Sequence, residues 1–196
     1  MEKPSEQARL VLGLGNPGGR YAGTRHNLGF RVVDELALRL GVRLGLDVCG
    51  ALWASSDRID LATPQTYMNR SGYSARCLSE RNGYAPGSIL VVYDEVHLPL
   101  GRLRLRGKGS PGGHRGMESV IENLRTTAVP RLRLGIAPDE AAAAAAARGE
   151  DLPDFVLAPF AGDEIETAER MVRRAADCVL SWVDHGVDIT MNEYNG

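Results

Sequence analysis

Short apolar runs recur along the chain and predict buried strands. These runs span residues 10–14 (LVLGL), 59–62, 89–93 (ILVVY) and 132–136. Leucine alternates with arginine over residues 102–106, which is the two-residue period of a strand with one exposed face. Residues 42–55 are interrupted by glycines and fit an irregular strand at best. The tail after Val187 is polar and is expected to be loose.

Between these runs, apolar residues recur three and four positions apart and predict amphipathic helices. The predicted helices span residues 27–40, 67–81, 117–124 and 163–185. Gly41 and Gly83 end the first two, because glycine accepts the left-handed backbone found just past a helix. Alternating strands and helices predict an α/β fold, with a sheet sandwiched by helices. The alanine-rich stretch 138–153 is interpreted as a surface insertion.

Composition narrows the class of protein. The chain has 196 residues, 43% of them hydrophobic and 24% charged, with a net charge of -2. This size predicts a single domain with its core at about residues 10–185, and excludes collagen, a coiled coil and wholesale disorder. A DNA-binding domain would be clearly basic, so DNA is not an expected partner. The basic residues are 21 arginines and two lysines. Codon bias is the best explanation of this excess of arginine, and phosphate binding is the alternative.

Cysteine usage and the termini predict the compartment. Cys49, Cys77 and Cys178 are odd in number and lack CxxC spacing, so neither a disulfide framework nor a zinc site is expected. The N-terminal residues lack an apolar signal core, and no apolar stretch reaches the ~20 residues of a membrane span. We expect a cytoplasmic protein with three reduced thiols and no membrane partner.

The first glycine-rich motif, at residues 13–18 (GLGNPG), matches the dinucleotide-binding fingerprint GxGxxG. The surrounding sequence does not fit, because the helical period begins only near Asn27 and no acidic residue ends a second strand about 20 residues later. We interpret the motif as a tight turn at the carboxyl edge of the sheet. That turn would present Asn16 where open α/β sheets bind ligands.

Three further residues have side chains suited to general-base catalysis and to stabilising an oxyanion. His26 precedes the helix at 27–40, and the helix dipole is expected to lower its pKa and keep it neutral as a general base. Asp94 follows the strand ILVVY at the same edge of the sheet and could orient that histidine. Asn69 could donate its amide to an oxyanion. The alternatives are a structural histidine, and caps of helices or turns for Asp94 and Asn69.

A basic stripe is predicted at residues 102–116 (RLRLRGKGSPGGHRG). Alternate arginines share one strand face, Lys108 extends that face, and the glycine-rich residues 107–113 form a lid by composition that delivers His114. The stripe would track phosphates, or it is simply a solvated strand face. Metal binding is not expected, because no HExxH and no carboxylate–histidine cluster at ligand spacing appears.

Six segments together resemble the bacterial peptidyl-tRNA hydrolases. In chain order they are LGLGNPGGRYAGTRHNLGF, PQTYMNRSG, ILVVYDEVHLPLG, KGSPGGHRGMESVI, RLRLGI and DFVLAPF, over about residues 10–182. The resemblance implies a single-domain, monomeric α/β protein with a mixed sheet flanked by helices. It also implies hydrolysis of the ester between a peptide and the 3′ ribose of tRNA, with no metal and no cofactor.

The resemblance also assigns roles by position. His26 corresponds to the catalytic base, Asp94 to its stabilising partner, and Asn16 to the residue that discriminates N-blocked from free aminoacyl-tRNA. The remaining positions are expected to bind substrate or tRNA: Asn69, Tyr67, Tyr21 and His114, with Arg104, Arg106, Lys108 and Arg133 on acceptor-stem phosphates.

Two positions depart from the family pattern. Arg115 follows the GGH motif where the family usually has asparagine, and it offers only donors, so it cannot accept from a water. Arg115 is therefore expected to bind phosphate or ribose. Tyr93 stands where a histidine often precedes the DE pair.

Two other functions remain open at this point. A non-catalytic RNA-binding relative would keep the basic stripe, but it is expected to lose the histidine or the aspartate, and both are present. A small-molecule esterase would not need the arginine stripe.

Overall fold

The computed structural model describes residues 8–147 and 153–195, and within them seven strands form one sheet. The strands are β1 (Leu10–Gly13), β2 (Leu46–Val48), β3 (Ala51–Ser55), β4 (Asp60–Pro64), β5 (Ile89–Pro99), β6 (Leu103–Arg106) and β7 (Arg131–Ala137). Their spatial order is β2-β3-β4-β1-β5-β7-β6. The four central strands are parallel, and the outer strands β2, β3 and β6 are antiparallel to their neighbours. This confirms the predicted α/β class with a mixed sheet.

Helices cover both faces of the sheet. They are α1 (Leu28–Leu40), α2 (Ser71–Asn82), α3 (Arg115–Leu124), α4 (Glu140–Ala147), α5 (Pro153–Val156) and α6 (Ile165–Tyr194). Helices α1 and α6 pack on the face that carries Val92, and α2 and α3 pack on the face that carries Val91 and Tyr93. Because β5 is buried on both faces, it is a continuous apolar run rather than an alternating one. Among the described residues, no helix is long and apolar enough to cross a membrane.

The prediction of a loose tail after Val187 is wrong. Gly186 breaks α6 with a φ of 79°, and the chain then continues as helix to Tyr194. The side chain of Asn195 accepts from the backbone N–H of Leu105 at 2.7 Å and donates to its carbonyl at 3.1 Å. Strand β6 is an outer strand with backbone groups to satisfy, so this end of the chain is held by the edge of the sheet.

Two ambiguous or polar segments have more structure than predicted. Residues 42–55 contain the hairpin β2–β3, which turns at Cys49 and Gly50, both with positive φ. The alanine-rich stretch forms α4, in which Ala143 is buried, so this part is not a surface insertion alone. The rest of that stretch, residues 148–152, lies outside the described residues.

The prediction of three reduced thiols is also wrong, because Cys49 and Cys77 form a disulfide. The hairpin turn lies against α2, which brings the two Cα atoms to 5.6 Å, within the range of disulfides. A spacing of 28 residues without a motif gives no sign of this pairing in the sequence. Cys178 is a free, buried thiol.

Candidate active site

The site lies at the carboxyl edge of the parallel strands. Asn16 follows β1, and Asp94 lies in the neighbouring strand β5, where Gly13 pairs with Val92. Asp94 is 2% exposed, so its carboxylate needs hydrogen-bond donors. Glu95 points to the other face, as the strand period predicts, and is bonded there to Arg133.

Two histidines donate to the Asp94 carboxylate. Nδ1 of His26 lies 2.8 Å from Oδ1 and 2.9 Å from Oδ2, and Nε2 of His114 lies 3.2 Å from Oδ1. Nδ1 of His114 accepts from the backbone N–H of Met117 at 3.2 Å, which assigns the proton of neutral His114 to Nε2. The bond to Asp94 likewise assigns the His26 proton to Nδ1, so Nε2 of His26 keeps its lone pair.

The charges of this cluster shift both pKa values. Burial alone would raise the pKa of Asp94, but the charge of His26 and the hydrogen bonds from both histidines lower it overall. Burial would lower the pKa of His26, but the charge of Asp94 and its hydrogen bond outweigh burial and raise it above 6.5, while Arg115 lowers it. The expectation of a lowered His26 pKa is therefore wrong, because the Asp94 carboxylate raises this pKa by more than the dipole of the short helical turn lowers it.

Asn16 is locked in place by Asn27, a residue to which the sequence assigned no role. The N–H of Asn16 donates to Oδ1 of Asn27, and Nδ2 of Asn27 donates to the Asn16 carbonyl, both at 2.9 Å. Oδ1 of Asn16 accepts from the backbone N–H of Met68, also at 2.9 Å. With Oδ1 occupied, Nδ2 is the donor that Asn16 offers to a ligand.

The segment after β4 lies against the histidine cluster. Met68 is buried, and a Cβ on Gly116 would lie 2.4 Å from its Sδ and 3.1 Å from Cε1 of His114. A Cβ at position 116 would force the Met68 side chain to shift, so α3 and its cap His114 approach Met68 closely. Tyr67 and Asn69, which flank Met68, are exposed and therefore accessible to a ligand.

Tyr21 lies in the short helical turn before His26. Its ring is half-buried, and the guanidinium of Arg20 lies 4.5 Å from its centroid. The Tyr21 carbonyl accepts from the backbone N–H and the hydroxyl of Thr24. The residue therefore packs into the loop that leads to the histidine.

The predicted basic stripe forms one face of the outer sheet. Arg104 pairs with Arg133 and Arg106 with Arg131 across β6 and β7, and directly opposite residues share a face. The four are not equivalent. Arg104 is exposed, Arg133 is bonded to Glu95 at 2.9 Å, and Arg131 is fully buried. Lys108 is exposed on the loop that follows.

Comparison with known proteins identifies the family of this chain. The family model for peptidyl-tRNA hydrolase matches residues 10–196. A peptidyl-tRNA hydrolase of Synechococcus sp. (strain JA-3-3Ab) is 44% identical over 200 residues, covering 99% of this chain and 86% of the relative. The chain belongs to the peptidyl-tRNA hydrolase family. A peptidyl-tRNA hydrolase of Moorella thermoacetica is also 44% identical, over 95% of this chain and 97% of the relative.

A solved structure of the family has the same fold. The crystal structure of peptidyl-tRNA hydrolase from Acinetobacter baumannii superposes with a TM-score of 0.86 at 31% identity. The match covers 100% of this chain and 98% of that one. The α/β fold and the family resemblance seen in the sequence are thereby confirmed.

Arg25 braces the turn that carries His26 in this peptidyl-tRNA hydrolase family member, a role that the sequence did not reveal. Its guanidinium donates to the carbonyls of Ala158 and Pro159 and pairs with Glu164. The backbone N–H of Arg25 donates to the Ala158 carbonyl at 3.1 Å. Because Arg25 precedes His26, the segment before α6 fixes the position of the histidine.

Proposed function

We propose that this chain hydrolyses the ester that joins a peptide, or an N-blocked aminoacyl group, to the 3′ ribose of tRNA. The observation that carries the proposal is the pairing of His26 with buried Asp94 through Nδ1, which leaves Nε2 free as a base. His26 takes a proton from water, and the resulting hydroxide attacks the ester carbonyl. Asp94 stabilises the imidazolium that forms.

The next steps need an oxyanion site and a proton for the leaving group. Asn69 and neighbouring backbone N–H groups stabilise the negative oxygen of the tetrahedral intermediate. The intermediate collapses, the C–O bond to the ribose breaks, and the ribose oxygen takes the proton from His26. Recycling of tRNA from prematurely released peptidyl-tRNA is the cellular outcome, and the cytoplasm, where translation occurs, is its place.

Asn16 supplies the discrimination between N-blocked and free aminoacyl groups. Its Nδ2 donor would meet the carbonyl of a peptide or an N-acyl group, whereas a free α-ammonium group has only donors to offer. The Asn27 side chain holds the backbone of Asn16 through two hydrogen bonds, and the Met68 N–H fixes the orientation of the Asn16 side-chain amide. Tyr21, Tyr67 and His114 complete the substrate site.

The basic face binds the acceptor stem. Arg104, Arg106, Lys108 and Arg133 contact phosphates, and Arg115 contacts phosphate or ribose. Arg133 is already paired with Glu95, so a phosphate would have to compete with that carboxylate, whereas Arg104 and Lys108 are exposed and accessible to a phosphate. We further propose that residues 1–196 act as one catalytic domain and as a monomer.

The reaction uses no metal and no cofactor. The ligand atoms of His26, Asp94 and His114 lie within 4.8 Å of one another, close enough to consider a metal site. However, Nδ1 of His114 already accepts from the backbone N–H of Met117. A metal bound to Nε2 would then leave the ring with no N–H at all, so His114 would have to be an imidazolate anion. Metal-bound histidines instead donate their second N–H to an acceptor, whereas Nδ1 of His114 faces a donor, the backbone N–H of Met117.

The substrate assignment is tested by hydrolysis of N-acetyl-aminoacyl-tRNA and free aminoacyl-tRNA by the wild type and Asn16→Asp. We expect the wild type to prefer the blocked substrate and the variant to lose much of that preference. Equal rates on both substrates in the wild type would overturn the assignment.

For the basic face, Arg104→Ala with Arg106→Ala should reduce the slope of log KM against log[salt] by about 1 to 2. The same change at Arg170 and Arg173, exposed on α6, should leave the slope unaltered.

A further inference from the structure

Arg131 is a buried cation that donates to four backbone carbonyls. Its side chain is fully buried in β7. Nε donates to Val129 at 3.1 Å and Nη2 to Thr127 at 2.9 Å. Nη1 donates to Gly109 at 2.7 Å and to Ser110 at 2.9 Å. A planar guanidinium can serve these diverging acceptors at once, whereas an ammonium group cannot.

Two of these carbonyls belong to the glycine-rich loop, residues 107–113. The backbone N–H of Gly109 also donates to the Thr127 carbonyl at 3.2 Å, so its N–H is bonded to the segment before β7 and its carbonyl to Arg131. The loop is rich in glycine, and Gly112 and Gly113 have φ values of 61° and 81°. Composition predicts a mobile lid, whereas the bonds fix one end of it.

The fixed end is connected to the catalytic cluster. Ser110 is followed by Pro111, whose carbonyl accepts from the backbone N–H of His114 at 3.1 Å. His114 then donates through Nε2 to Asp94. Only the short segment from Ser110 to His114 therefore separates the carbonyl bound by Arg131 from His114, the second hydrogen-bond donor to the Asp94 carboxylate.

We propose that Arg131 is a positioning residue that anchors the 107–113 loop, so that Lys108 and His114 are held ready for the substrate. It acts through the loop and touches neither substrate nor reacting atoms. The proposal rests on the proposed function for the importance of the loop. The anchoring itself is testable without turnover, so each can fail alone.

The chain offers a direct probe of the anchor. Its two lysines are Lys3 and Lys108, so a lysine-specific protease cuts the folded protein internally at the loop alone, and removal of the first three residues is distinguished by mass. Cleavage after Lys108 requires the loop to open. In Arg131→Met, the loss of the bonds to the loop should raise the cleavage rate about tenfold. Arg131→Gln, which keeps an N–H donor and adds no lysine, should lie between this variant and the wild type.

A matched control separates local opening from lower global stability. Val179→Ala removes buried apolar volume from α6, on the face of the sheet packed by α1 and α6, and should leave cleavage after Lys108 near the wild-type rate. Cleavage of Arg131→Met and Arg131→Gln no faster than that of Val179→Ala would overturn the proposal.

A second readout reports on His114 itself. Imidazole ¹⁵N spectra of the wild type should show His114 as a single tautomer with the proton on Nε2, and the Arg131 variants should show averaging between tautomers. An unaltered His114 signal in both variants would contradict the anchoring role. If neither variant folds, hydrogen exchange of the wild type decides. The Gly109 N–H should then exchange as slowly as the β7 amides, and fast exchange would contradict the proposal.

Discussion

The rings of His26 and His114 meet at one carboxylate, with centroids 5.1 Å apart and both bonded to Oδ1 of Asp94. The two histidines differ in what their other nitrogen does. His26 keeps a free Nε2, whereas Nδ1 of His114 is occupied by the N–H of Met117. One ring is thus available as a base, and the other acts as a fixed donor that tempers the charge of the carboxylate.

Removal of the fixed donor should change the pH dependence. In His114→Ala the Asp94 carboxylate interacts more strongly with His26, so the pKa of His26 rises further. We expect the acid limb of the kcat/KM profile to move to higher pH and kcat to fall severalfold. The control is His97→Ala, which removes a histidine bonded to Glu95 on the other side of β5. An acid limb unchanged from the wild type would show that His114 does not influence the base.

Loss of the carboxylate should have the opposite effect on pKa. Asp94 raises the pKa of His26, so in Asp94→Asn that pKa falls and the acid limb moves to lower pH. The plateau at higher pH should also fall, by about a hundredfold or more, because the imidazolium loses its counter-charge and the ring its fixed tautomer. A complete pH–rate profile checks both effects. A variant with a full plateau rate would remove Asp94 from the mechanism.

Arg115 provides a test of sign with a well-matched control. Its charge lowers the pKa of His26, so Arg115→Asn should raise that pKa and move the acid limb of kcat/KM to higher pH. Arg125→Asn makes the same charge change at the other end of α3, and asparagine tolerates the positive φ of 55° found there. The control should retain the wild-type limb. A shift in the opposite direction for Arg115→Asn would contradict the electrostatic account.

The cysteines should differ in reactivity. Cys49 and Cys77 are paired, and burial raises the pKa of the Cys178 thiol to about 12. Titration of the folded, unreduced protein with an aromatic disulfide reagent at pH 8 should therefore find no fast thiol. After mild reduction two thiols should react quickly, and the third only on unfolding. Two fast thiols before reduction would show that the disulfide is absent in solution.

The brace behind the histidine should contribute to both stability and rate. Glu164→Gln leaves the Arg25 guanidinium without its counter-charge and should lower the free energy of unfolding by about 2 kcal/mol. A severalfold loss in kcat should accompany this, because the turn that holds His26 loosens. Glu166→Gln removes an exposed pair with Arg170 and should cost less than about 0.5 kcal/mol. Equal effects of the two changes, measured by denaturant unfolding, would argue against the brace.

Local patterns predicted much of this fold. The run ILVVY placed a buried strand, and the ends of two strands placed Asn16 and Asp94 at one edge, because the carboxyl ends of parallel strands meet there. The alternation at 102–106 also placed Arg104 on the exposed side of β6. These predictions succeeded because each depends on residues close together in the chain.

Other features depend on partners far away in sequence. Arg25 is bonded to residues more than 130 positions later, and the guanidinium of Arg131 to carbonyls 21 and 22 positions earlier. No local pattern distinguishes such arginines from solvated ones. The predictions for Cys49 and Cys77 and for the helix after Gly186 were wrong for the same reason. The hairpin turn and the sheet edge that stabilise these features form only in the folded chain.

The role of His26 as the general base can be tested by comparing hydrolysis with binding. Single-turnover hydrolysis of N-acetyl-aminoacyl-tRNA and binding of the same tRNA are measured for the wild type and His26→Ala. We expect the variant to bind tRNA as the wild type does and to lose hydrolysis by about a hundredfold or more, on the order of a general-base contribution. Hydrolysis by His26→Ala at the wild-type rate would contradict this role.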